Sequence, residues 1–505
     1  MINTSAQLFL KNSIFNFISF TIPIIVVIFF TPIIIFRLGA HDYGIFILLT
    51  TIITFLGLLD LGVGTANSKH IIEYYTLKKE KKLRDLLHSM NTVYLIMALI
   101  LLVTCICLGI GFWLVGNSIY LILLTIIGLN IFITTIFNNF SNIFVTMQRY
   151  DVYTLVSMIT FISFNVGMLL LVVFGYGLTE IFILQLVLAI VNCIIFFILA
   201  KKLFPFLSLK YDFKKGEIWK NYKFGLSVAF NNLATSSLVH FDKILIPIFL
   251  GNAQLTFYSV PGSITNRISQ ISGTFSSLLF PVTVNLISLD NLEKIKRVYI
   301  RSLRLVAILS SAISLSIIFL SDKILFYWLD DEFLRNSLIV LVLLVLTNFL
   351  LALYNPLLNL MMAMGKMKFL TKGSIIMATV NIVALVILMP IFGINGAAMA
   401  YFLGVIPIIV MILYAEKKIF KINLVNFHFK LILKISITGI ALFAFEFFII
   451  RNLVNSFINL LILGPLSVIL FLVLYKIMGF FEIEDWNDFK LIIFKVFVKL
   501  CFKKL

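Results

Sequence analysis

The chain has 505 residues, of which 61% are apolar and only 12% are charged, and its formal net charge is +18. Soluble domains carry about twice that charged fraction, so the composition excludes a soluble globular protein and indicates that lipid surrounds much of the chain. The four cysteines form no CxxC pair, and the sequence contains no Walker A, HExxH or histidine spacing suited to a metal. We therefore expect no catalytic residue, metal, cofactor or disulfide.

Apolar runs of about 18 to 29 residues recur along the chain, and a helix needs roughly 20 residues to cross the hydrocarbon core of a bilayer. They predict an all-α, polytopic membrane protein with about fourteen transmembrane helices, and counts of twelve or thirteen fit the softest boundaries. In chain order the runs begin near Ser13, Ile45, Asn91, Ser118, Tyr153, Leu178, Tyr222, Thr256, Leu305, Ser337, Lys372, Asn395, Ile432 and Phe457.

Lysine and arginine are distributed unevenly between the connections that separate these runs. If the N-terminus is cytoplasmic and the spans alternate, 34 of the 40 basic residues lie on the cytoplasmic side. Basic connections stay on that side of membranes, so both termini are predicted to be cytoplasmic. The asymmetry also accounts for the positive net charge without a nucleic-acid partner, because these side chains face anionic lipid.

Short segments recur at a nearly constant spacing in the two halves of the chain. RLGAHDYGIF at 37–46 resembles FLGNAQLTFY at 249–258 with an offset of 212 residues, and the Phe-Gly of 172–177 recurs in 389–396 with an offset of 218. Four further matches have an offset of 217: Asn138, Asn142, Met147 and Arg149 with Asn355, Asn359, Met364 and Lys366. Six helices per unit predict two parallel lobes around a central cavity.

The predicted organisation has five parts. They are an N-terminal six-helix lobe (1–200), a cytoplasmic linker (201–221), a C-terminal six-helix lobe (222–414), the additional helices thirteen and fourteen (415–478) and a cytoplasmic amphipathic tail (479–505). Lysines at a spacing of four among apolar residues suggest that the tail lies on the inner leaflet.

The most specific motifs lie at the ends of predicted spans. They are RLGAHDYGIF (37–46), LLDLGVGTANSKHI (58–71), FDKILIPIFLGNAQLTFYSV (241–260), PLLNLMMAMGKMK (356–368) and IFGINGAAMAYFLG (391–404). On these motifs, and over nearly its whole length, the chain resembles the polysaccharide-biosynthesis and O-antigen flippase family. That family lies within the multidrug/oligosaccharidyl-lipid/polysaccharide exporter superfamily.

The resemblance implies a function without enzymatic activity. It implies a flippase of the bacterial inner membrane that moves an undecaprenyl-pyrophosphate-linked oligosaccharide from the cytoplasmic to the outer leaflet by alternating access. The expected partners are this substrate and membrane lipids. The transporter is expected to be a monomer, and other polysaccharide-assembly proteins are candidate partners. Without an ATP-binding motif, its energy is expected from an ion gradient, the membrane potential or substrate flux.

Charged residues inside predicted spans are the main candidates for function, since they are costly in lipid and face a cavity or a partner. Arg267 lies near the middle of the eighth span, in a series with Ser263, Gln270, Thr274 and Ser277 at spacings of 4, 3, 4 and 3. This spacing predicts one polar stripe down one helix face. We expect Arg267, with Gln270 beside it, to bind pyrophosphate through paired hydrogen bonds, and a structural ion pair is the alternative.

Four further positions belong to the first and seventh spans. Lys243 is a candidate phosphate ligand and Asp242 a candidate for ion coupling, or else the two maintain the fold. Arg37 ends the first span, either as an interfacial residue that snorkels, which we favour, or at the outer mouth of the cavity. Pro23 and Pro32 make the first span a candidate gate helix, because proline frees backbone carbonyls and lets helices bend.

Three more candidates lie at the end of the second span and in span thirteen. Asp60 and Lys69 form a cluster that is a candidate to receive the lipid pyrophosphate, with a gate, a helix end or a cation ligand at Asp60 as alternatives. Glu446 is either a proton carrier or a structural partner. We favour the structural role because span thirteen lies outside the repeat.

Two repeat-related spans carry amide and hydroxyl groups at helical spacing. They are Asn130, Thr134, Asn138 and Ser141 on the fourth span and Asn348, Asn355 and Asn359 on the tenth. Such groups suit sugar hydroxyls and equally suit hydrogen bonds between helices, and we favour the second.

Four rival functions remain. A flippase for a lipid-linked cell-wall precursor is a near relative that fourteen spans would also suit. A scramblase or a purely structural role would be separated from a coupled flippase by the absence of a strict dependence on an ion gradient. A multidrug exporter of the same superfamily would use acidic residues to bind cations. The chain has three acidic and three basic candidates, so their number does not discriminate between the two functions. The motifs favour the lipid-linked sugar. A membrane-embedded polysaccharide polymerase or ligase would need a large outer loop, and the longest predicted one is about 321–336.

Overall fold

The computed structural model describes residues 22–57, 63–114, 116, 118–147, 149–207, 210, 212, 236, 239–277, 279–288 and 292–482. In this part of the chain the secondary structure consists of helices and the turns between them, without a strand. The predicted all-α class is confirmed.

The helices are numbered α1 to α18 in chain order. Their bounds are α1 Ile22–Leu38, α2 Ala40–Gly57, α3 Val63–Thr76, α4 Glu80–Leu114, α5 Ser118–Thr146, α6 Tyr150–Val173, α7 Leu178–Leu203, α8 239–250, α9 Asn252–Ser277, α10 Leu279–Ser288, α11 Leu292–Phe319, α12 Ser321–Trp328, α13 Asp331–Ala363, α14 Met367–Val405, α15 Pro407–Tyr414, α16 Val425–Phe445, α17 Arg451–Leu453 and α18 Phe457–Ile477. Two π-helical turns, Ala415–Ile419 and Glu446–Ile450, continue α15 and α16.

Ten helical stretches of the described residues are long and apolar enough to cross a membrane, so the chain is a multi-pass membrane protein. The longest stretch, Met367–Ile419, contains two of the predicted spans. They meet at Gly393, whose φ of 60° and ψ of −138° break the helix without a loop. The segments α1, α8 and α9 coincide with three further predicted spans but are outside these ten. The total of fourteen therefore stays a prediction.

The chain forms two compact units, Met1–Thr256 and Phe257–Leu505, while the predicted lobes at 1–200 and 222–414 stay predictions. In the first unit, α4, α5 and α7 bury aromatic and aliphatic side chains such as Tyr94 and Phe140. A Cβ on Gly128 of α5 would lie 3.0 Å from the Cβ of Cys105 on α4. Small residues permit such close packing, which drives helix association in lipid.

The first of the repeated motifs forms the turn between α1 and α2, and its counterpart forms the turn between α8 and α9. Gly39 has φ of 84° and Gly251 has φ of 91°, a conformation that L side chains rarely adopt. Each glycine N–H donates back to the preceding helix, to the Ile35 carbonyl at 2.8 Å and to the Pro247 carbonyl at 3.2 Å. Glycine is therefore favoured at both repeat-related positions.

The first turns of α2 and α9 touch, and both contacting segments, 40–44 and 252–256, belong to the first unit. The Thr256 hydroxyl donates to the Ala40 carbonyl at 2.6 Å. A Cβ on Gly44 would lie only 1.9 Å from the carbonyl oxygen of Asn252. The 212-residue offset relates Ala40 to Asn252 and Gly44 to Thr256. The contact is thus self-complementary, as between two-fold related copies.

In the second unit, α16 and α18 pack on α11. Ile308 and Ala312 of α11 lie in one buried cluster with Leu442 of α16 and Phe471 and Tyr475 of α18. The predicted additional helices thirteen and fourteen therefore share a core with the second unit.

A buried polar cluster joins the ends of three helical segments in the same unit. The Tyr299 hydroxyl of α11 donates to Glu416 Oε1 at 3.0 Å, and His428 Nε2 of α16 lies 2.9 Å from Glu416 Oε2. The ring of Phe420 stacks on Tyr299 with centroids 5.2 Å apart. Because both Glu416 and Tyr299 are buried, this cluster holds the turn after α15 against α11 and α16.

Candidate functional site

One face of α9 is bonded to α13. Ser269 Oγ donates to Asn348 Oδ1 at 2.9 Å, and Asn348 Nδ2 donates to Thr265 Oγ1 at 3.3 Å. One turn further along, Ser272 Oγ donates to the Ala352 carbonyl at 2.7 Å. These bonds fix the rotation of α9 about its axis and leave its other polar face unbonded to α13.

That other face carries the predicted stripe. Arg267 is half-buried, whereas Gln270 and Thr274 are exposed. Arg267 Nη1 donates to Gln270 Oε1 at 2.9 Å, and no carboxylate pairs with it among the residues that the structure describes. A guanidinium has five N–H donors, so most of them remain for a ligand. The arrangement suits an anion that accepts paired hydrogen bonds.

The helix that precedes α9 in the chain, α8, carries Asp242 and Lys243 on its described turns. Asp242 is buried with 1% exposure, and the Lys243 backbone N–H donates to its Oδ1 at 2.7 Å. The Lys243 side chain is only partly buried. The acid therefore lies inside the protein.

The candidates of the first span lie on α1. Arg37 is exposed in the last turn of the helix, which fits an interfacial side chain. Pro23 lies at the start of the described helix, and the helix continues through Pro32 without a break.

Several predicted positions lie wholly or partly outside the described part of the chain. Asp60 and the end of the tail, 483–505, lie outside the described residues, and of Lys69 only the backbone within α3 is described. Their roles stay predictions.

Glu446 lies where α16 continues into its π-helical turn, and it is only 1% exposed. Its Oε1 accepts from the Ser467 hydroxyl of α18, and Ser467 Oγ lies 2.7 Å from Ser316 Oγ of α11. Its Oε2 is buried without a partner among the described residues. Through Ser467, Glu446 is linked to α18 and α11, and its structural role stays a prediction.

A cavity of about 430 Å³ lies between α5, α6 and α7 in the first unit. The four polar residues predicted on the fourth span line it: Asn130, Thr134, Asn138 and Ser141. Aromatic side chains, among them Tyr153 and Phe161, complete its wall. None of the described residues that line this cavity is charged.

Sequence reasoning missed the contribution of α6 and α7 to this cavity. Asn192 Nδ2 of α7 donates to Thr160 Oγ1 of α6 at 3.0 Å. Gln185 Oε1 is buried and has no hydrogen-bond partner among the described residues. Gln185 and Asn192 are seven residues apart in an apolar run, which is two helical turns. That spacing was the available signal.

The two repeat-related sets of amides differ in what they contact. On α13, Asn355 Nδ2 donates to the Ser269 carbonyl of α9 at 2.9 Å, an interhelical bond as expected. On α5, the hydroxyls of Thr134 and Ser141 donate to carbonyls of their own helix at 2.9 and 3.0 Å. The fourth-span residues thus line a cavity, contrary to the favoured expectation, because α6 and α7 do not close over them.

Comparisons with known proteins identify a matching family and several similar solved structures. Residues 37–334 match the family model described as polysaccharide biosynthesis protein. A structure of the lipid II flippase MurJ in an inward closed conformation has a TM-score of 0.70 at 17% identity, covering 93% of this chain and 98% of that chain. No curated protein sequence matches the chain significantly.

Two structures of multidrug resistance MATE family transporters of the MOP superfamily are also similar. The inward-facing one has a TM-score of 0.65 at 15% identity, covering 78% of this chain and 93% of that chain. The outward-facing one has a TM-score of 0.57 at 14% identity, covering 81% and 96%. These neighbours are transporters, and identities this low establish the fold alone. Since the family model spans more than half of the sequence, the chain belongs to the polysaccharide biosynthesis protein family, on a polytopic fold shared with MurJ and MATE transporters.

Proposed function

We propose that this chain is a flippase that moves an undecaprenyl-pyrophosphate-linked oligosaccharide, such as an O-antigen unit, from the cytoplasmic to the outer leaflet of a bacterial inner membrane. Family membership supports a role in polysaccharide assembly, and the fold supports alternating access. Both termini face the cytoplasm in this account, as the distribution of lysine and arginine indicates.

The observation that carries the proposal is the half-buried Arg267, which lacks a carboxylate partner among the described residues. A cation without a counter-charge is costly at membrane depth, and an anionic ligand offsets that cost. The pyrophosphate supplies this charge, with Gln270 orienting the guanidinium. Lys243, Arg37 and Lys69 are proposed as further contacts along the path of the head group.

We also propose that an ion gradient drives transport of the lipid. Asp242 is its preferred carrier because it is a buried acid in a helix next to a lysine. Asp60 and Glu446 are the other candidates for coupling or gating. Pro23 and Pro32 are proposed to let α1 bend as access alternates.

The test is transport in vesicles that contain the purified protein. A fluorescent oligosaccharide on polyprenyl pyrophosphate is placed in one leaflet, and its arrival in the other is measured with a membrane-impermeant glycosidase, with and without a proton or sodium gradient. We expect gradient-dependent transfer of this lipid. Export of ethidium without transfer of the lipid would replace the flippase with a multidrug exporter, the function that the likeness to MATE transporters favours as an alternative.

A further inference from the structure

We propose that the cavity between α5, α6 and α7 binds a neutral sugar unit of the transported lipid. The inference rests on the proposed function and assigns the carbohydrate part of the substrate to residues other than those proposed for the pyrophosphate.

The first argument is the position of the polar groups. The three helices α5, α6 and α7 are each long and apolar enough to span the membrane. Amides and hydroxyls within such spans are stable only against protein, water or a polar ligand. A volume of about 430 Å³ far exceeds what one or two structural waters fill, and it falls within the roughly 300–1,000 Å³ of ligand sites.

The second argument is the chemistry of the lining. Amide and hydroxyl groups both donate and accept hydrogen bonds, as sugar hydroxyls do. Rings such as Tyr153 and Phe161 offer flat apolar surfaces to the C–H face of a pyranose. An organic cation or a phosphate would meet no opposite charge among the described lining residues. An acyl chain would leave the amides unpaired, which is costly.

The third argument is the state of Gln185. Its Oε1 is buried without a partner among the described residues, although most buried polar atoms in proteins are bonded. In contrast, Asn192 is held by Thr160 and is oriented before any ligand arrives. A sugar hydroxyl that donates to Gln185 would satisfy this atom.

The test compares two cavity variants with a matched control. Gln185→Leu removes the amide whose Oε1 lacks a partner among the described residues, and Ala189→Phe places a ring in the cavity, which Ala189 lines. Asn165→Leu removes an α6 amide that bonds the Phe161 carbonyl of its own helix at 2.8 Å and does not line the cavity. Binding of maltotetraose and chitotetraose to the protein in detergent is measured by saturation-transfer NMR. Thermal unfolding and vesicle flipping are measured in parallel.

We expect wild type and Asn165→Leu to bind at least one tetrasaccharide, and both cavity variants to bind it roughly tenfold more weakly. Gln185→Leu should not lower the unfolding temperature, because it removes a buried oxygen that has no partner among the described residues. Sugar binding by a wild type that flips no lipid supports the cavity and contradicts the proposed function. Wild type that binds neither sugar, or cavity variants that bind and flip like wild type, would overturn the inference.

Discussion

The close contact between the helices after the two repeated turns makes a quantitative prediction. Replacing Gly44 by alanine places a Cβ 1.9 Å from the Asn252 carbonyl oxygen and 3.1 Å from Thr256 Oγ1. Carbon and oxygen need about 3.3 Å, so one backbone must move by roughly 1.4 Å. Overpacking of this kind costs about 1–3 kcal/mol.

Under alternating access, this cost falls on the conformation in which α2 and α9 touch. A penalty of about 1–3 kcal/mol shifts the balance between two conformations by roughly 5- to 150-fold. We therefore expect Gly44→Ala to disfavour the closed contact and to slow transport, with a stronger effect for Gly44→Val.

The assay uses the two side chains beside this contact. His41 Nε2 and Asn252 Nδ2 lie 3.3 Å apart, so cysteines at these positions can be joined by a short bifunctional thiol reagent once the native cysteines are removed. We expect the yield of this cross-link to fall in Gly44→Ala. The control is Gly57→Ala at the end of the same helix, where a Cβ meets no atom within 4 Å. Equal cross-linking and equal transport in the two alanine variants would refute the reasoning.

Two predictions concern buried polar groups of the second unit. Tyr299→Phe removes a hydrogen bond to the buried Glu416 and should lower the free energy of unfolding by about 1.5–3 kcal/mol. Tyr354→Phe removes a buried hydroxyl without a partner among the described residues and should leave the free energy of unfolding unchanged or raise it. Thermal unfolding that shows equal losses of stability in Tyr299→Phe and Tyr354→Phe would contradict this explanation. Glu446→Gln should keep the bond from Ser467 and retain both stability and gradient-dependent flipping, whereas Glu446→Leu should lose about 1–3 kcal/mol of stability. Loss of gradient dependence in a stable Glu446→Gln would instead assign the coupling proton to this residue.

Much of the fold could be predicted from the sequence because hydropathy reports burial in lipid directly. The polar stripe through Arg267 was also predicted from helical spacing, and in the structure Arg267 donates to Gln270 of the same stripe on the face of α9 that is not bonded to α13. The break at Gly393 was not evident, since a single residue with positive φ replaces the loop that a count of spans assumes. The helix start at Ala40 likewise precedes the apolar run predicted near Ile45, because polar residues begin the helix.

Contacts between residues that are distant in the chain could not be predicted from the sequence. Tyr299 and Glu416 are 117 residues apart, and neither has a spacing that points to the other. The amides of α5 and α13 have similar patterns, yet those of α13 bond to α9 whereas those of α5 line a cavity. The difference depends on how closely neighbouring helices approach, which composition and periodicity do not determine.

The most direct test of the central claim is the flipping rate of the pyrophosphate-linked oligosaccharide by wild type and by three arginine variants. Arg267→Ala removes the charge and Arg267→Lys keeps the charge without the planar fork. Arg335→Ala is the control, since it removes a 78% exposed arginine that pairs with Asp331. We expect flipping by wild type and Arg335→Ala, strong loss in folded, inserted Arg267→Ala, and partial activity in Arg267→Lys. Flipping at the wild-type rate by Arg267→Ala would contradict the anion-binding role, and no flipping by wild type would contradict the proposed function itself.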